Sequence, residues 1–218
     1  MIQLFGHPFS SYTWKALIAF WEKDIAFDFR ALGPDHPENG EEFAHLWPIG
    51  KFPLLLDGGR QVMEATSIID YLEVAFPQAT RLIPEDPLSA QHVRMLDRIF
   101  DNYVMEPTQR VVANAMLPER RQDPENVAAA EAALDRIYDW LDAHLAKREW
   151  AAFDDFSLAD CAAAPSLFYA DWVLPIGDTR PHLSAYRGRL LARPTIARAV
   201  EGARPYRHLF PLGAPDRD

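Results

Sequence analysis

Strand-like patterning stops near residue 76, and nothing after Ser89 resembles a strand. Any sheet must therefore be built from the first 76 residues. Ile2-Gln3-Leu4-Phe5 reads as a strand, and Ala26 to Ala31 alternates Phe27 and Phe29 with Asp28 and Arg30, as a half-buried strand does. Between them, Thr13 to Lys23 places Trp14, Leu17, Ile18 and Trp21 at i, i+3, i+4 and i+7, the spacing of one helical face. Glu41 to Trp47 suits a short helix stopped by Pro48. Leu54-Leu55-Leu56, Asp57-Gly58-Gly59 and Gln61-Val62-Met63 read as strand, turn and strand. Helical spacing returns over Ala65 to Ala75, with Ile68, Ile69, Leu72 and Phe76. The predicted order is βαβ, a short helix, ββ and α.

Pro77, Pro84 and Pro87 then interrupt the chain. They predict an α/β unit over 1–77, a linker over 78–88 and an all-helical unit over 89–218. Ser89 to Leu117 carries Val93, Leu96, Phe100, Tyr103, Val104 and Val111 on one face, and Pro107 should kink it. Val127 to Leu145 keeps a 3.6-residue period. Ser157-Leu158-Ala159-Asp160 is a capping signal, and the nearly uncharged helix behind it suits the buried centre of the helical unit. Pro194 suits a helix first turn.

A chain of 218 residues can bury roughly 70% of its unfolded surface, so neither disulfide nor metal is required for stability. Twenty-two Lys and Arg against 32 Asp and Glu leave −10, which repels phosphate backbones and anionic lipid. We expect neither nucleic acid nor membrane as a partner. Cys161 stands alone, which excludes an internal disulfide and a CxxC pair. The uncharged stretch from Met1 to Trp14 is shorter than the ~20 residues of a membrane span and lacks a basic leader. A cytoplasmic protein is expected.

There is no GxGxxG, Walker A loop, HExxH, HxH or GxSxG. No metal is expected. Three local features could bind a ligand. Gly6-His7-Pro8-Phe9-Ser10-Ser11-Tyr12 leads into a helix, where free N–H groups favour an anion; Ser10 or Ser11 could equally be a simple helix cap. Pro48-Ile49-Gly50-Lys51-Phe52-Pro53 enters a strand, and a cis bond at Pro53 would turn the Phe52 backbone outward; the alternative is an ordinary trans turn. A helix starts near Glu64, whose carboxylate could serve a ligand or only its own helix dipole.

Taken together, these features resemble the cytosolic glutathione transferases over nearly the whole chain. Gly6 to Lys15 resembles the phi-type loop that carries the active serine, and Ser10-Ser11-Tyr12-Thr13-Trp14 is similar to the zeta-class Ser-Ser-Cys-Ser-Trp stretch; both place that serine on Ser10. Pro48 to Pro53 resembles the segment ending in the family's cis-proline. Glu64-Ala65-x-x-Ile68-x-x-Tyr71-Leu72 resembles the motif that holds the γ-glutamyl end, and Phe156 to Asp160 the capping box of the helical domain.

The resemblance implies a thioredoxin-like N-terminal domain before an all-helical domain, a homodimer, and glutathione as co-substrate. It implies that the Ser10 hydroxyl stabilises the glutathione thiolate, which attacks a small hydrophobic electrophile, as in detoxification. Ser11, Lys51, Phe52, Pro53, Glu64 and Ala65 would bind glutathione; Phe9, Tyr103 and Pro107 would face the electrophile. The chain departs from the pattern in three places. Ala65 replaces a serine, Glu38 to Glu42 holds no basic residue, so that Lys51 is the nearest cation, and Tyr12 replaces the zeta-type cysteine. Two alternatives stay open: a non-catalytic binder of hydrophobic ligands or interaction partner of the same fold, and a glutathione-dependent isomerase, dehalogenase or peroxidase.

Overall fold

The computed structural model describes all residues, 1–218. Four strands, β1 (Gln3–Gly6), β2 (Asp28–Ala31), β3 (Leu54–Asp57) and β4 (Arg60–Met63), form one sheet in the order β2-β1-β3-β4. Helix α1 (Ser11–Glu22) carries the chain from β1 to its parallel neighbour β2. The other pairs are antiparallel, with Leu4 opposite Leu55 and Leu55 opposite Val62. Gly58 and Gly59, both at positive φ, close the β3–β4 hairpin in a conformation that side chains disfavour.

Strand alternation sorts the core into two faces. Leu4 and Leu55 join Leu17, Phe20, Ile68 and Leu72 under α1 and α3 (Ala65–Ala75). Phe5 and Leu54 point the other way, onto Phe43 of α2 (Pro37–Leu46). The expected elements are therefore present, with α2 beginning four residues before the predicted start because Pro37 can occupy a helix first turn.

The rest of the chain is helical: α4 (Pro87–Ile99), α5 (Glu106–Ala115), α6 (Pro124–Leu145), α7 (Leu158–Val173), α8 (Pro181–Ala192) and α9 (Pro194–Ala203). The kink expected from Pro107 takes the form of a π-helical stretch, Phe100–Met105, between α4 and α5. Proline has no N–H to offer the preceding turn, and the Glu106 N–H instead reaches back to the Asp101 carbonyl. Helix α7 is buried along almost its whole length. Its capping box joins Ser157 and Asp160. The fully buried Asp160 carboxylate accepts from the Ser157 N–H (2.9 Å), the Ala151 N–H (2.8 Å) and the Tyr186 hydroxyl (2.6 Å). Burial pushes this carboxyl up, and the hydrogen bonds oppose that.

The α/β part and the helical part share their largest core. Trp14, Ile18 and Ala19 of α1 pack with Leu167, Phe168 and Tyr169 of α7. At the edge of this contact, the Glu22 carboxylate accepts from Arg193 Nε and Nη2, at 2.6 and 2.7 Å, and from the Thr195 hydroxyl. No helix is long and apolar enough to cross a membrane.

Candidate active site

The loop between β1 and α1 is held by specific contacts on several sides. Trp14 Nε1 donates to the Pro8 carbonyl at 2.6 Å, and the Tyr169 hydroxyl donates to the Phe9 carbonyl at 2.8 Å. Within the loop, the Phe9 N–H donates to His7 Nδ1 (3.1 Å) and the Ser10 N–H to the His7 carbonyl (2.9 Å). Gly6 permits the tight approach of α1, because a Cβ there would lie 2.6 Å from the Thr13 side chain. The loop is thus rigid before any ligand arrives.

Ser10 ends this loop as the N-cap of α1. Its Oγ accepts the Thr13 N–H at 3.3 Å, while the hydroxyl hydrogen has no acceptor in the chain. The Ser11 and Tyr12 N–H groups point out of the helix start without backbone partners. Capping and ligand binding are therefore not alternatives at Ser10: the oxygen caps, and the hydrogen is free to donate.

Ser10 opens onto a cleft of about 490 Å³, lined also by Tyr12, Trp47, Gly50, Lys51, Phe52, Pro53, Met63, Glu64, Ala65 and Gln109. Three separated sequence features meet here: the loop before α1, the segment before β3 and the start of α3. The Phe52–Pro53 bond is cis, as expected. The Phe52 N–H and carbonyl make no backbone hydrogen bond. Lys51 is exposed and forms no ion pair. Glu64, the residue before α3, has φ 68°, ψ 124°. That conformation costs a side-chain-bearing residue on the order of 1–3 kcal/mol, which the surrounding structure must offset. It aims the free N–H groups of the α3 start and the Glu64 carboxylate into one cleft.

Behind α3, Thr66 turns away from the cleft, as its helical position predicts. Its Oγ1 meets Lys15 Nζ at 2.8 Å and Asp97 Oδ2 at 3.0 Å. Lys15 also contacts Asp101 Oδ2 at 2.8 Å and Asp97, and Arg98 closes the cluster from the solvent side. Asp97 and Asp101 are buried and point inward to Lys15. Burial pushes the Asp101 carboxyl up, opposed by Lys15. Burial, reinforced by Asp101, pushes the Tyr12 phenol to about 12. Tyr12 is thus neutral near pH 7 and cannot supply a phenolate base.

A second, apolar cavity of about 220 Å³ adjoins Ser10. Phe9 and Ser11 line it on the loop side. Met105, Thr108, Val112 and Met116 line it from the π-helical stretch, α5 and the residue just after, Tyr169 from α7, and Leu209, Phe210 and Pro211 from the C-terminal segment. Ser11, expected with glutathione, faces this cavity and not the cleft. Tyr103 and Pro107, expected here, do not line it. Each is two residues from Met105, which puts it roughly on the opposite side of the helix. Pro107 is buried, and Tyr103 lies in a different groove with Arg94, Met95, Arg98 and Ile99. Sequence reading missed Met105, Thr108, Gln109, Val112 and Met116, although their spacing is that of one helical stripe.

Residues 4–80 match the family model for the glutathione S-transferase N-terminal domain, and residues 124–189 match that for the C-terminal domain. The chain belongs to the cytosolic glutathione transferase family. A glutathione S-transferase of Hyoscyamus muticus is 26% identical over 208 residues, covering 92% of this chain and 98% of the relative. A solved glutathione S-transferase of Methylobacillus flagellatus, with glutathione bound, superposes with a TM-score of 0.81 at 26% identity over 91% of this chain and 98% of that one. Another from Methylobacterium radiotolerans, in complex with glutathione sulfonate, gives 0.79 at 25% identity over 91% and 94%. Membership identifies the chain as a glutathione transferase enzyme.

Proposed function

We propose that the cleft binds glutathione and that Ser10 stabilises its thiolate for attack on a small hydrophobic electrophile held in the adjoining cavity. The observation that carries this reading is the free Ser10 hydrogen at the junction of the two sites, beside the unpartnered N–H groups of α1.

A free thiol has a pKa near 8.5, so little is ionised at pH 7. A hydroxyl donor and a helix N-terminus both favour the anion. Lowering the pKa by ~2 units corresponds to ~2.7 kcal/mol of differential stabilisation and makes most of the bound thiol reactive. Ser10 acts as a hydrogen-bond donor and is not itself a nucleophile. The sulfur bonds to the electrophilic carbon, the leaving group or displaced electron pair departs, and the thiol proton goes to solvent. At the γ-glutamyl end, Glu64 pairs with the ammonium and the α3 N–H groups hold the carboxylate. The free backbone of Phe52 pairs with the cysteinyl peptide in the manner of an added strand. Lys51 is the cation available to the glycyl carboxylate.

The division at 78–88 and a cytoplasmic setting belong to the same reading, as does a homodimer. The groove of Arg94, Met95, Arg98, Ile99 and Tyr103, with Tyr103 58% exposed, offers a mixed apolar and cationic surface for a second copy. Light scattering should give about twice the 24.8 kDa chain mass; the monomer mass at micromolar concentration would overturn the dimer.

Titrating glutathione while recording the ultraviolet thiolate band tests the central reading. A band at pH 7 that disappears in Ser10→Ala supports it. Binding without a band supports a passive binder, and no binding removes the glutathione site.

A further inference from the structure

Two helix starts face the cleft, and they are fixed in different ways. The start of α1 is capped by the Ser10 oxygen. The start of α3 has no side-chain cap. A serine, threonine or aspartate in place of Glu64 would fasten the first turn, but would spend one of its N–H groups to do so. As it is, the Ala65, Thr66 and Ser67 N–H groups have no partner in the chain. This uncapped turn also follows directly on the strained backbone of Glu64, at φ 68°. Something other than a cap must hold it.

The fastening comes from behind. From Glu64 to Ser67, Thr66 alone has a hydrogen-bonded side chain, and its hydroxyl is fully used. Lys15 Nζ donates to Oγ1 at 2.8 Å, Arg98 donates to the same oxygen, and Oγ1 donates to Asp97 Oδ2 at 3.0 Å. A hydroxyl has two lone pairs and one hydrogen, so nothing is left over. Lys15 and Asp97 are fully buried, so water does not compete for these bonds. Lys15 belongs to α1, five residues after Ser10, and Asp97 and Arg98 belong to α4. The first turn of α3 is thereby tied to the helix that carries Ser10. None of the three charges relies on Thr66 for neutralisation, since Lys15 and Arg98 each pair with both Asp97 and Asp101.

We propose that Thr66 is a positioning residue for glutathione: its hydroxyl replaces the missing cap of α3 and holds Glu64 and the free N–H groups in place without consuming a donor. The proposal rests on the glutathione reading above. Thr66 touches neither glutathione nor the reacting sulfur; it acts through the backbone of Glu64, Ala65 and Ser67. The γ-glutamyl end lies away from the sulfur, and its charges do not change during the reaction. Its grip is therefore the same in the ground state and the transition state, and loss of the anchor raises the glutathione KM while sparing kcat.

The test compares glutathione with cysteinylglycine, which keeps the thiol and the glycyl end but lacks the γ-glutamyl group. The measured quantity is the ratio of their kcat/KM values toward benzyl chloride in the wild type, Thr66→Val, Thr66→Ala and Thr66→Ser. Both hydroxyl-free variants leave the buried charges paired with one another, and thermal melting shows which of them is folded; Thr66→Ala serves if the valine methyl is not accommodated. A lost hydrogen bond to a charged group changes an equilibrium ~10-fold or more; acting here through the backbone, it should lower the ratio ~5-fold, through the glutathione KM, with kcat kept within about twofold. Thr66→Ser, which retains the hydroxyl, should keep the wild-type ratio. Equal losses with both thiols would show that Thr66 serves the fold alone and overturn the proposal. A wild-type preference for glutathione that survives in a folded hydroxyl-free variant refutes Thr66 and leaves the glutathione reading standing. No wild-type preference for glutathione over cysteinylglycine refutes the γ-glutamyl site and this proposal with it.

Discussion

The cleft and the apolar cavity meet at Ser10 but are built in different ways. The cleft is assembled from chain ends: a loop entering α1, a loop entering β3 and the first residues of α3. Much of what it offers a ligand is backbone groups that helix starts and an irregular loop leave unpaired, beside the side chains of Ser10, Lys51 and Glu64. The cavity is assembled from side-chain faces contributed by the π-helical stretch, α5, α7 and the C-terminal segment. Its capacity comes from shape and apolar area. Backbone-built sites depend on secondary-structure geometry, whereas face-built sites can change shape whenever a side chain changes. One enzyme can therefore keep a fixed co-substrate site beside an adaptable second site.

The largest expected effect tests whether the junction belongs to the cleft. Ser10→Ala should lower the conjugation rate at least ~10-fold, since loss of a donor to a buried developing anion typically costs 2.7–4 kcal/mol and this site is partly open. Ser11→Ala, on the cavity side, and Tyr12→Phe should cost less. Steady-state rates in which either of those is the crippled variant would move the activating hydroxyl to a different residue.

The next substitution should affect the cleft alone. Ala65 sits at the start of α3 with no hydroxyl to offer. A hydrogen bond to a charged group contributes ~1.5–3 kcal/mol, less where water substitutes, so Ala65→Ser should tighten glutathione about tenfold with little change in rate at saturation. Calorimetric titration of both proteins measures this, and an unchanged Kd would show that another group already satisfies the carboxylate.

A matching change should affect the cavity alone. Phe9 packs edge-on against Tyr169 with ring centroids 5.3 Å apart. Phe9→Ala should raise KM for an apolar electrophile by about fivefold, consistent with loss of part of an aromatic side chain's burial, while leaving glutathione affinity nearly intact. Equal loss in both constants would mean that the two sites are not separable.

The smallest effect is a slope of stability with pH. Burial holds the folded His7 imidazole below its ordinary 6.5. As pH falls below 6.5 the unfolded chain takes up a proton that the folded chain resists, so stability is lost toward the depressed folded value. Above 6.5 both states are neutral and His7 adds no slope. Protonation also removes Nδ1 as acceptor for the Phe9 N–H, loosening the loop that carries Ser10. Thermal unfolding of His7→Asn from pH 5 to 7 should show a shallower slope than the wild type; an equal slope would assign the effect elsewhere, with His144, also lowered by burial, as the next candidate.

The contrast in construction also explains what the sequence made legible. Ser10, the Phe52-Pro53 pair and Glu64 each sit in a short local pattern whose backbone consequence is known. Met105 and Val112 share one helical stripe, but that stripe meets Tyr169 and Phe210 only through tertiary packing, so no local pattern joins the three segments. Tyr103 and Pro107 lay in the right segment but on the wrong face. Asp101 carries no local sign of its burial, because its partner, Lys15, lies 86 positions away. Charge in a sequence reads as solvent exposure unless its counter-ion is known. The strand and helix order was readable because period and proline placement are themselves local.

Helix α1 faces two hydrophobic centres at once. Ala16, Leu17 and Phe20 are buried against the sheet side, while Trp14, Ile18 and Ala19 are buried with α7. A fragment ending at residue 77 would leave Trp14, Ile18 and Ala19 without cover, and the helical remainder would lose the indole that packs on Phe168 and Tyr169. The two halves consequently lend each other solubility. They should melt in one cooperative step, and the scaffold beneath Ser10 persists only while both are folded.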